Sequence, residues 1–156
     1  MIDVDLNEVS VPLVWEQLFG RPDPPEVEIG AGKGRFLLEM AALHPERSLL
    51  GVERAAKYHD LVCRRAARRG IGTIRMLRTT AEDLFFRLLR PASVANIHVY
   101  FPDPWPKKRH HKRRLFQPDT VEAMARALVP GGLLLVKTDH GEYAAVIAQV
   151  LERSSL

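Results

Sequence analysis

Cysteine is almost absent: Cys63 stands alone among 156 residues. An intramolecular disulfide is therefore excluded, and a cysteine-based metal site lacks a ligand set, so no metal is expected. Long hydrophobic runs are missing as well, all falling far short of the roughly 20 residues that cross a bilayer. No opening stretch combines a basic start, an apolar run and a small-residue cleavage site. These absences point to a soluble protein of the reducing cytoplasm without a membrane partner. Repeats, low-complexity linkers and sustained heptads are lacking too, which removes arrays and coiled coils from consideration.

What remains has average globular usage, 46% hydrophobic and 27% charged, on a length that suits one compact domain. The net charge of +4 is unevenly spread. Lys107, Lys108, Arg109, Lys112, Arg113 and Arg114 supply six cations, and removing them turns +4 into −2. Basicity concentrated in this way indicates a polyanion contact.

Val14 to Phe19 suits a short helical turn, after which Pro22, Pro24 and Pro25 block helix. Residues 1–25 thus form a lead-in and residues 26–156 the main domain. Strand-like runs at Val27–Gly30, Ser48–Glu53, Thr73–Leu77, Val94–Phe101 and Leu133–Thr138 alternate with amphipathic stretches. Those stretches fall near Arg35–Leu43, Ala55–Arg69, Ala81–Leu89 and Phe116–Leu128, with a last helix from about Glu142. Right-handed crossovers assemble such units into an α/β, doubly wound, mostly parallel sheet of Rossmann-like type, with expected order 3-2-1-4-5. The chemically unusual residues cluster at the carboxyl ends of the expected strands, where open α/β sheets bind ligands.

Gly30, Gly32 and Gly34 alternate directly after the first strand, so the chain turns sharply and a ligand can approach the backbone. Arg35 departs from the dinucleotide spacing, which wants glycine there. Glu28 precedes the turn, and a carboxylate suits a cationic ligand better than a pyrophosphate. S-adenosylmethionine, with its sulfonium and amino groups, fits that charge. Glu53 ends the second strand, where an acidic side chain accepts hydrogen bonds from ribose hydroxyls. Thr79 and Thr80 either touch the adenine or, for Thr80, cap the following helix.

Phe101-Pro102-Asp103-Pro104-Trp105-Pro106 follows the fourth strand, and three prolines fix much of its backbone. Asp103 either accepts guanine N–H bonds or serves as a turn-forming aspartate, while Trp105 either stacks on a base or packs the loop. The cationic tract then continues from a loop at the ligand edge, an arrangement that favours RNA phosphates over a merely solvated face. Arg64, Arg65, Arg68 and Arg69 read as a solvated helix face. His110 and His111 lack a metal-ligand set, His98 reads as structural, and Asp139 either faces the substrate or ends the fifth strand.

These residues resemble the bacterial tRNA (guanine-N7)-methyltransferase family. The matching blocks are Val27-Glu28-Ile29-Gly30-Ala31-Gly32-Lys33-Gly34, Gly51-Val52-Glu53, the run from Phe101 to Arg114, and Thr138-Asp139. The resemblance implies transfer of a methyl group from S-adenosylmethionine to N7 of a guanosine in the tRNA variable loop. It implies Glu28 and Glu53 at the donor, Asp103 near both donor and reacting base, and Lys107 and Asp139 at the guanosine, while the reading of the residues themselves adds Gly30, Gly32, Gly34 and Thr80 on the donor side. Lys107, Arg109, Lys112, Arg113, Arg114 and Asp139 are then the RNA-side candidates.

Two departures stand out. Members usually carry an acidic residue or asparagine where this chain has Thr80. They also continue into further strands and a threonine-and-glutamate motif that is not found before Leu156. A fragment, a minimal enzyme and an impaired relative that binds RNA without turnover all fit that pattern, and monomer and homodimer both stay open.

Overall fold

Short runs of four to seven residues carrying valine, isoleucine and leucine form the inner strands, because β-branched and aliphatic side chains suit a pleated surface covered on both faces. The computed structural model describes residues 1–156. In it, β1 (Glu26–Ile29), β2 (Leu49–Val52), β3 (Ile74–Leu77), β4 (Val94–Tyr100) and β5 (Leu128–Lys137) form one parallel sheet. The order is β3-β2-β1-β4-β5, as the alternation of elements implied.

Six α-helices complete the molecule: α1 (Trp15–Phe19), α2 (Arg35–Leu43), α3 (Ala56–Arg68), α4 (Ala81–Asp83), α5 (Pro118–Ala127) and α6 (Gly141–Glu152). Side chains alternate across each strand. Val27, Ile29, Ile97 and Val99 join a 24-residue core that also holds Trp15, Val121, Met124, Tyr143 and Ile147 from α1, α5 and α6. On the other face Leu37, Leu38 and Ala41 of α2 meet Val62 and Ala66 of α3 in a second core of nine residues. Each fully buried aliphatic side chain contributes roughly 1.5–3 kcal/mol, so these two layers dominate the energetics of the sheet.

Three local features differ from the sequence expectation. The helix expected over Ala81–Leu89 is a single α-turn that widens into a π-turn at Leu84–Leu88, and this keeps Leu84, Phe85 and Leu88 in the core. The fifth strand starts at Leu128, not Leu133. Pro130-Gly131-Gly132 reads as a turn in sequence, but β5 is an edge strand, where a residue without N–H is tolerated. A bulge between Val94 and Asn96 takes up the irregularity. Gly132 passes so close to β4 that a Cβ there would lie 2.5 Å from the Ala95 carbonyl oxygen. Finally, Ile2 to Val4 extends the sheet beyond β3, with Val4 N–H donating to Met76 O at 3.0 Å and Met76 N–H to Ile2 O at 2.8 Å.

Candidate active site

The order of the strands reverses between β1 and β4, and the connections leaving their carboxyl ends run in opposite directions. A crevice follows from that topology alone. The structure has a cleft of about 730 Å³ there, walled by Gly30 and Gly32 after β1, Glu53 after β2, Thr79 and Thr80 after β3, and Asp103 after β4.

The glycine turn is built on hydrogen bonds from its neighbours. Gly30 and Ala31 N–H groups donate to Val52 O at 2.8 and 3.1 Å. The Glu53 carboxylate accepts from Gly32 N–H at 2.8 Å through Oε2 and from Ala55 N–H at 3.0 Å through Oε1. Glu53 therefore clamps the turn onto the start of α3 and keeps its remaining lone pairs for a ligand. Gly30 adopts φ +71°, a left-handed conformation that a side chain resists, and a Cβ there would enter open space in the cleft. Gly34 differs. It caps α2 at φ +79°, and a Cβ would collide with Val62 Cγ2 at 2.8 Å, so its role is to let α2 and α3 close.

Glu28 lies beneath this turn. It is 5% exposed and its Oε2 has no hydrogen-bond partner. Burial first, and the charge of Glu53 second, push its carboxyl up to about 8. A buried carboxyl with a free oxygen is costly unless a donor or cation reaches it. The residues present thus fit a cationic nucleoside: an orphaned acceptor behind the turn, open backbone at Gly30 and Gly32, and Glu53 at the rim. Glu26 follows a different course on the same strand. Its Oε2 meets His98 Nε2 at 2.5 Å and its Oε1 accepts from Arg47 at 2.7 Å, while His98 Nδ1 lies 2.7 Å from the Tyr100 hydroxyl. His98 is structural, as its strand position suggested.

Thr80 Oγ1 accepts from Asp83 N–H at 3.1 Å and so caps α4, while Thr79 donates to Asp83 Oδ2 at 2.7 Å. Both also line the cleft.

Across the cleft the proline loop carries two non-glycine residues in the left-handed region, Phe101 at φ 54° and Trp105 at φ 43°. Each such residue costs on the order of 1–3 kcal/mol and persists only where surroundings hold it. Phe101 N–H donates to Lys137 O at 2.7 Å. The Pro104 carbonyl accepts from Arg114 Nε at 2.6 Å. Asp103 sits between these anchors, exposed and at the cleft wall.

The cationic tract forms a 3-10 helix, Lys108–Arg113. Lys107, Arg109, Lys112 and Arg113 are exposed. Arg113 reaches the cleft and lies over the Trp105 ring, 5.0 Å from its centroid, so Trp105 packs the loop against the tract. Arg114, expected among the phosphate contacts, is turned inward with a side chain 3% exposed. Its Nη1 and Nη2 donate to Glu142 at 3.2 and 2.6 Å, and its guanidinium lies 4.6 Å over the Tyr143 ring. No face of it is left for a phosphate, so it braces the loop against α6, and the hydrogen bond holds the Glu142 carboxyl below its usual range. Asp139 is exposed in the turn after β5 and does not wall the cleft. Sequence reasoning missed Tyr58 and Tyr100, which do. Each sits beside a motif that was recognised, Tyr58 in the first turn of α3 after Glu53 and Tyr100 just before the loop.

Residues 23–156 match the model of a family described as "Putative methyltransferase". Among curated proteins, the chain is 44% identical over 151 residues to a tRNA (guanine-N(7)-)-methyltransferase of Halorhodospira halophila, covering 96% of this chain and 64% of that protein. It is 43% identical over 143 residues to the protein of that name from Alkalilimnicola ehrlichii, covering 90% and 60%. The chain thus spans about 60% of the length of the relatives it matches. Among solved structures, a SAM-dependent O-methyltransferase of Thermotoga maritima superposes with TM-score 0.63 at 14% identity, over 87% of this chain and 46% of that one. An rRNA methylase of Streptococcus thermophilus superposes with TM-score 0.58 at 17% identity, over 83% and 69%. At such identities the agreement concerns the fold.

Proposed function

We propose, from the premise that the chain belongs to the methyltransferase family matched over residues 23–156, that it methylates N7 of a guanosine in the variable loop of tRNA. The observation that carries this reading is the placement of Asp103. A strained, proline-fixed loop braced by Arg114 holds it at the wall of a cleft whose opposite side is the glycine turn. Exposed cations continue from the same loop. Donor, base and phosphates thereby meet along one edge. The names of the curated relatives support tRNA and guanine N7, and such a substrate places the activity in the cytoplasm.

S-adenosylmethionine, when bound, supplies an electrophilic methyl on a positively charged sulfur. Glu28, Gly30, Gly32, Gly34 and Glu53 would hold it: Glu28 through its orphaned oxygen, which a nearby cation would favour in ionised form, Gly30 and Gly32 through open backbone, Gly34 by closing α2 on α3, and Glu53 through its free lone pairs. Thr80 walls the adenine side and caps α4. Guanine N7 has a lone pair and no proton to lose, so no general base is required. The protein's work is alignment and electrostatics. Asp103 accepts N–H bonds from the base and favours the positive charge that moves onto the purine. Lys107, Arg109, Lys112 and Arg113 grip phosphates, and Arg114 acts as a positioning residue. Asp139 stands at the same sheet edge, where a longer RNA surface would pass.

The deciding experiment is transfer of radiolabelled methyl from S-adenosylmethionine to bulk tRNA, followed by nucleoside mass spectrometry. N7-methylguanosine is the expected product. Because the chain spans about 60% of its relatives, a second reading keeps the RNA grip without turnover. RNA binding with no methyl transfer would select it, and neither activity would overturn both.

A further inference from the structure

Where the segment paired to β3 crosses α3, three side chains of metal-binding chemistry converge, none of them among the residues that wall the cleft. His59 and Cys63 are one helical turn apart on α3, so they share a face. The segment paired to β3 brings Asp3 over them. Asp3 Oδ1 lies 3.2 Å from His59 Nε2, Cys63 Sγ lies 4.0 Å from the same nitrogen, and the three ligand atoms all lie within 4.8 Å of one another. Bond lengths to zinc of about 2.0–2.3 Å place tetrahedral ligand atoms roughly 3.4–3.6 Å apart. The separations of 3.2 and 4.0 Å lie on either side of that range, so small side-chain rotations bring the atoms to it. The other ring nitrogen is also provided for, because His59 Nδ1 lies 3.0 Å from Asp60 Oδ1. A carboxylate on Nδ1 fixes the tautomer that presents Nε2 to a metal. The His59 side chain is 3% exposed while that of Asp3 is 67% exposed, so the site has a fixed floor and an open side for a water ligand.

We propose that Asp3, His59 and Cys63 bind one divalent cation of borderline softness, zinc by preference. The cation clips the segment at Ile2–Val4 to α3 and so secures the β3 edge of the sheet. The ligand set mixes oxygen, nitrogen and sulfur, which favours zinc over magnesium or calcium. The sequence hides this site because one cysteine and one histidine at helical spacing do not form a set until Asp3 is folded over them. The cation would displace the thiol proton of Cys63, which burial and the charges of Asp3 and Asp60 hold at about 11.

The test is a titration of the full chain with Co²⁺, then displacement by Zn²⁺. Cys63 is the only thiol, so a near-ultraviolet sulfur-to-cobalt absorption has one possible source. The expected result is absorption that saturates at one equivalent and is bleached by zinc. Asp3→Asn and His59→Gln should each weaken cobalt binding at least about ten-fold, and Asp60→Asn by about ten-fold. Asp3 is exposed, so its variant folds even if that of His59 does not. No thiolate absorption, or absorption indifferent to Asp3→Asn, would overturn the site. Either outcome would leave His59 as a hydrogen-bonded strut between Asp3 and Asp60.

Discussion

Replacing Glu28 by glutamine removes a titration that the fold opposes. In the folded chain Glu28 holds its proton up to about pH 8, whereas its ordinary value is 4.5. Between those values the folded state binds one proton more than the unfolded state, so stability falls as pH rises. The slope for one proton is about 1.4 kcal/mol per pH unit. From 4.5 to 7 the loss reaches about 3 kcal/mol, and it levels off above 8. Against a total stability of roughly 5–15 kcal/mol such a term is readily measured. Glutamine has no charge to lose, so the stability advantage of Glu28→Gln over the parent should grow by about 3 kcal/mol between pH 4 and pH 7. Any fixed cost of burying the amide cancels in that comparison. Urea unfolding of both proteins across pH 4–8 measures it, and an advantage that stays flat with pH would refute the reasoning. S-adenosylmethionine should reverse the ranking in part, because a cation beside Glu28 stabilises the parent more than the variant.

Asp103→Ala should retain the fold and lose about 100-fold or more in the rate of methyl transfer, read from initial rates at saturating donor; undiminished transfer would remove Asp103 from the mechanism. Changing Lys107, Arg109, Lys112 and Arg113 to alanine should flatten the dependence of log affinity for tRNA on log salt by roughly 3. The melting temperature should barely move. Glu142→Ala leaves the guanidinium of Arg114 without its partner and should lower the urea midpoint of unfolding, together with a loss of tRNA methylation. Equal stability would mean that Arg114 is not braced by α6.

The sheet was legible because its strands are short apolar runs separated by amphipathic helices, a pattern that fixes both class and order. Residues at the strand ends were legible for the same reason: Gly30, Gly32, Glu53, Thr80 and Asp103 reach one cleft because every parallel strand delivers its carboxyl end to the same edge. What escaped depended on contacts between distant segments. Arg114 looks like its five cationic neighbours until Glu142 and Tyr143 close over it. β5 looks like a turn at Pro130-Gly131-Gly132 until β4 bulges to receive it. Cys63 looks isolated until Asp3 crosses α3.

The outer edge of β5 bears on how the 156-residue chain, taken by itself, behaves when concentrated. This strand has β4 on one side and no strand on the other. Leu133 is exposed, and Lys137 is the one charge along ten residues. Such an edge is a ladder open to another rung. Pro130 spoils its first half, so a foreign strand would dock at Leu133–Lys137. Growth by that route depends on collisions between chains and accelerates steeply with concentration. A charge introduced at Leu133 should slow it while leaving the cleft on the far side of β4 untouched.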